Sequence, residues 1–104
     1  MAAPYNPPVK GEDFAFSVGL EDASNLGSFK ASPTIAAGDF KISKDDGAYA
    51  NLSNLPTVAP TGSTDVSILL TSAEMNADKV VVTAIDQTTP KEWADIKICI
   101  LTTT

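Results

Sequence analysis

At 104 residues the chain has the length of one domain with one hydrophobic core. It carries thirteen acids against seven lysines, a net charge of −6, with no histidine, no arginine and a single cysteine, Cys99. That inventory lacks a neutral-pH proton shuttle, a bidentate phosphate clamp and a zinc ligand set, so hydrolysis, phosphoryl transfer and zinc chemistry are poorly served.

The first eleven residues contain Pro4, Pro7 and Pro8 and end on Gly11. Proline fixes φ and lacks a donor, so residues 1–11 are expected to form an extended arm and residues 12–104 a single β domain. Such an arm either frays or orders against a neighbouring subunit. The start has no basic and apolar segments of a secretory signal. The longest apolar run, Ile98 to Leu101, is far from the ~20 residues of a membrane span. A lone cysteine fits assembly in a reducing cytoplasm.

Phe14, Phe16, Val18 and Leu20 alternate with small residues and predict a first strand with one apolar face. Residues 22–27 read as a turn, Phe29 to Ala31 as a short strand before Pro33. Phe40 and Ile42 face inward in the next strand, which Asp45-Asp46-Gly47 should end in a tight turn, because Asp and Gly tolerate positive φ. Tyr49 to Leu52 would return. Residues 53–63, with Pro56, Pro60 and Gly62, read as a loop or irregular edge. Val66, Ile68 and Leu70 mark another half-buried strand. Residues 72–76 look like one short helical turn capped by Ser72. Lys79 to Asp86 and Trp93 to Leu101 are the last two strands. Six or seven short strands without a long helix predict an all-β antiparallel sandwich, of immunoglobulin-like order, with a small barrel as the alternative.

The last two strands are apolar on both faces. Val80, Val82 and Ala94, Ile96, Ile98, Ile100 form one side; Val81, Ile85, Trp93, Cys99 and Leu101 lie on the other. The outer side is therefore expected to be covered by a partner subunit or by the chain's own arm, with plain tolerance of scattered surface apolar residues as the remaining alternative. Tyr5, Pro7, Pro8, Val81, Ile85, Trp93 and Leu101 are the candidate contact residues, Trp93 being equally readable as core. Cys99 reads as a small packed hydrophobe.

No catalytic set emerges. Asp39, Asp45, Asp46, Asp65, Asp78, Asp86 and Asp95 are better explained as turn formers and solubilising charges. Asp45-Asp46-Gly47 lacks the spacing of a calcium loop. No cofactor or metal is expected. Scattered lysines on a net negative chain also argue against nucleic acid and an anionic membrane as partners.

Four stretches carry a resemblance: PTIAAGDFKISKDDGAYANL from Pro33 to Leu52, FAFSVGLED from Phe14 to Asp22, LTSAEMNAD from Leu70 to Asp78, and EWADIKI from Glu92 to Ile98. They resemble a recurrent pattern in small structural proteins of tailed bacteriophages. The resemblance implies an immunoglobulin-type sandwich and a virion part, and it transfers no catalytic residue. It suggests a capsid decoration protein on the head surface, made in the host cytoplasm. Its partners would be the major capsid protein, other virion subunits or further copies of itself. A tail, baseplate or neck-associated binding module, recognising the host surface or seating a fibre, is the alternative.

Overall fold

The computed structural model describes residues 7–103. Seven antiparallel strands form two sheets: β1 (Phe14–Gly19), β2 (Phe40–Lys44), β3 (Ala50–Asn51), β4 (Thr57–Val58), β5 (Asp65–Leu70), β6 (Lys79–Ala84) and β7 (Ile96–Leu101). The order is β1-β5-β4 in the smaller sheet and β3-β2-β6-β7 in the larger. The fold is all-β, and among the described residues there is no helix.

Side-chain alternation and register together build the core. In the small sheet Phe14, Phe16 and Val18 lie opposite Leu70, Ile68 and Val66. In the large one Ile42 pairs with Val82, which pairs with Ile98; Val80 pairs with Ile100. One buried cluster draws on both sheets, closing them into a sandwich. Because strand residues alternate sides, a one-residue slip in any of these pairs would turn an apolar row toward water. The inward residues of the central strands, Val66, Ile68 and Leu70 on β5 and Val80, Val82 and Ala84 on β6, are sealed, whereas Phe14, Phe16, Ile96 and Ile98 on the edge strands stay half-buried.

The turn after β2 forms as expected, and its chemistry is specific. Asp45 and Asp46 both have positive φ (48° and 63°), and the Gly47 N–H bonds the Lys44 carbonyl at 2.9 Å. Two consecutive left-handed residues match the right-handed twist of paired strands. The Asp45 carboxylate also accepts from the N–H groups of Asp78 and Lys79, at 3.1 and 3.0 Å, latching the turn to the start of β6.

Several expectations are corrected. Residues 72–75 form a single hydrogen-bonded turn with one i→i+4 bond, from the Met75 N–H to the Thr71 carbonyl, but the expected cap is displaced. Its cap is Thr71 rather than Ser72. The Thr71 hydroxyl accepts from the Glu74 N–H at 3.2 Å, while the Glu74 carboxylate accepts from the Thr71 N–H at 2.8 Å. These bonds satisfy both exposed donors reciprocally. Phe29 makes only an isolated bridge to Glu21, and Trp93 one to Asp22, so β7 begins at Ile96. Of the two readings of residues 53–63, an irregular edge is the one observed: Thr57–Val58, flanked by Pro56 and Pro60, pairs with β5 as the edge of the small sheet.

Candidate contact surfaces

Three loops gather at one end of the sandwich. The Ser32 N–H bonds the Ser63 carbonyl at 2.9 Å, and the Thr34 N–H bonds the Glu92 carboxylate at 3.1 Å. Segments 21–23 and 92–94 exchange backbone hydrogen bonds. Trp93 sits at their junction. It is 0% exposed, its indole N–H donates to the Thr34 carbonyl at 3.2 Å, and its ring lies 5.9 Å from that of Phe40. Trp93 is therefore core, and its assignment as a contact residue is corrected: it precedes β7, so strand parity does not govern where it points.

Buried carboxylates tie the same end together. Asp39 accepts from the N–H groups of Ala36 and Gln87, and Asp86 from those of Thr88 and Glu92. Burial alone would raise the Asp86 pKa. The hydrogen bonds from Thr88, Glu92 and Trp93 outweigh it and hold the carboxyl below the usual aspartate value. Asp22 is likewise lowered, by the Ser24 backbone and hydroxyl. Asp39 and Asp86 are thus turn formers but not solubilising charges, since each is about 2% exposed. At the opposite end Glu74, also buried, joins its own turn to Ser53 through a 2.9 Å bond. The Thr71–Glu74 spacing is a capping-box signal that reading Ser72 as the cap passes over.

The outer face of the large sheet follows directly from register. Across it run three rows: Lys41–Thr83–Lys97, Ser43–Val81–Cys99 and Lys79–Leu101. Val81 is half-buried, Ile85 stands 36% exposed just beyond β6, and Leu101 is 68% exposed. Cys99 is exposed, which corrects its reading as a packed hydrophobe. No described residue of the arm covers this face. Pro7 and Pro8 are half-buried, and Pro8 to Lys10 instead lie along the end of β7, Val9 bridging Thr103 in parallel. Pro7 and Val9 also border a depression with Phe14 and Leu69 of the small sheet. Tyr5 lies outside the described residues.

Further apolar groups are exposed elsewhere. Leu55 and Leu69 flank a shallow groove of about 500 Å³ on the small sheet, and Leu26 and Phe29 project near the loop end. Phe29 lies flat against Gly19, where a Cβ would come within 2.7 Å of the ring. Among the described residues no three His, Cys, Asp or Glu side chains converge as metal ligands would, and no helix is long and apolar enough to cross a membrane. Lysine pairs are few: Lys10 with Asp78, Lys79 with Asp46 and Lys91 with Asp95. Asp46 raises the Lys79 pKa through a hydrogen bond and its charge.

Compared with known proteins, the chain matches no family model, no curated sequence and no solved structure.

Proposed function

We propose that the chain is a structural protein of a tailed-bacteriophage virion, a decoration protein that binds the head surface through protein–protein contacts. The observation that carries this reading is the exposed apolar set on both sheets: Leu101 and Cys99 on one outer face, Leu55 and Leu69 on the other. Apolar groups on two opposed faces suit a part wedged between neighbours, where each contact stabilises the assembled state by mass action. The sequence resemblance of residues 14–22, 33–52, 70–78 and 92–98 supports the same class. So does strand order. Relative to an immunoglobulin sandwich, β1-β5-β4 would correspond to strands B, E and D, and β3-β2-β6-β7 to C′, C, F and G. The partners in this reading are the major capsid protein, other virion subunits or further copies, with no catalytic role.

A second reading has an observation of its own. Loops 22–27 and 86–92 meet at one end of the sandwich, and Leu26 stands 74% exposed there. A tail-associated module would use that end to hold a host surface or a fibre. Mass spectrometry of purified particles separates the two. Copies in the hundreds per particle, with binding to empty shells, support decoration; a handful of copies with retained affinity for host cells supports the module. Absence from particles refutes both.

A further inference from the structure

We infer that the outer face of the large sheet docks an acidic protein surface, seating a carboxylate between Lys41 and Lys97 above Thr83. This deepens the reading of the chain as a part that works by protein contacts, and it rests on that reading.

Charge distribution comes first. The chain is net negative, yet this face places Lys41 and Lys97 in one row on either side of Thr83, with Lys79 two rows away. Lys79 is engaged by Asp46, whereas Lys41 and Lys97 have no ion-pair partner among the described residues. Asp95, the acid two residues before Lys97, is paired with Lys91. Adjacent strands lie about 4.8 Å apart, so Lys41 and Lys97, one strand to either side of Thr83, have Cα atoms roughly 10 Å apart. Both flexible ammonium groups can close on one carboxylate at that span.

Thr83 supplies an independent observation. It is only 9% exposed although it points to the outer side, and its buried Oγ1 has no hydrogen-bond partner among the described residues. Ser43, its neighbour on the same face, satisfies its own hydroxyl on the Gly47 carbonyl at 2.8 Å. A buried hydroxyl normally finds a partner, and a carboxylate entering between the lysines would accept the Thr83 proton. Val81, Cys99 and Leu101 continue the face as an apolar floor. That mixture fits a protein partner better than a nucleic acid. Two free lysines release too few counterions to hold a duplex tightly.

Cys99, the chain's one thiol and exposed on this face, reports occupancy directly. The purified full chain would be treated with a maleimide with and without poly-L-glutamate, and mapped in parallel by backbone amide shifts. The expected result is slowed Cys99 modification, with shifts confined to Lys41, Val81, Thr83 and Lys97. Both effects should disappear at about 0.5 M salt. Lys41→Glu/Lys97→Glu, altering exposed side chains only, should weaken binding roughly tenfold or more, and Thr83→Val should weaken it less without loss of fold. Unprotected Cys99, shifts centred elsewhere, or tighter binding to duplex DNA would overturn the inference.

Occupancy on particles separates this inference from the broader reading. If the double variant decorates particles as fully as the parent, this face is not the dock, and the virion reading stands. If polyglutamate binds here but the chain is absent from particles, the virion reading fails and the site stands.

Discussion

Replacing Trp93 by alanine should unfold much of this protein's margin of stability rather than only weaken its contacts. The side chain is fully enclosed, packed at a tilt against Phe40 and hydrogen-bonded to the Thr34 carbonyl. Truncating a buried aromatic costs about 3–5 kcal/mol. The lost indole bond adds about 0.5–1 kcal/mol, because Thr34 is exposed and water can take up its carbonyl. A domain of this size is stable by about 5–15 kcal/mol in total. The urea midpoint should therefore fall by roughly 2–4 M, and Tm by about 15–30 °C. Trp93 is the only tryptophan, so its fluorescence disappears with it and unfolding must be followed by far-ultraviolet circular dichroism. Trp93→Phe keeps most of the packing and should lose about 1–2 kcal/mol. A Trp93→Ala midpoint within about 0.5 M of the parent, with binding to particles lost, would refute the core assignment and restore Trp93 as a contact anchor.

Asp86 links stability to acid. Its folded pKa lies below the unfolded value of about 3.9. Its contribution is therefore complete above about pH 5 and is lost as pH falls through the folded pKa. Asp86→Asn should cost about 1–3 kcal/mol at pH 7, and the gap between variant and parent should shrink by pH 3; an equal gap in urea melts at both values would contradict this. Glu74→Ala orphans the N–H groups of Ser53 and Thr71 and should cost about 2–3 kcal/mol, with Glu74→Gln costing less, read by the same melts. Asp45→Ala removes two backbone hydrogen bonds at a left-handed position and should cost about 1–2 kcal/mol, whereas Asn, which tolerates that φ, should recover part of it. Hydrogen exchange at Asp78 and Lys79 would report the loosened latch.

The regular strands were legible because alternation is written locally. Phe14/Phe16/Val18, Val66/Ile68/Leu70 and Val80/Val82 each declare an inner face without reference to any other segment, and the Asp45-Asp46 turn declares its φ values. Thr57–Val58 was legible only as a loop or irregular edge, because two residues between prolines carry no period. The single turn at residues 72–75 is legible, but its cap is Thr71 and not Ser72, because Thr71 and Glu74 close it reciprocally. Of the candidate contact residues, Val81 and Leu101 lie on the outer side, since strand parity extends to them, and Ile85 is partly exposed just beyond β6.

By itself, then, the sequence determined an all-β chain, the sidedness of its principal strands and the position of its tightest turn. Tertiary structure alone decided that Trp93 is enclosed and Cys99 bare, and that Thr83 is buried between two lysines that stand 56 residues apart in the chain. The reason is range. Which way a strand residue points depends on a period of two, whereas what covers it depends on which distant strands and loops arrive beside it.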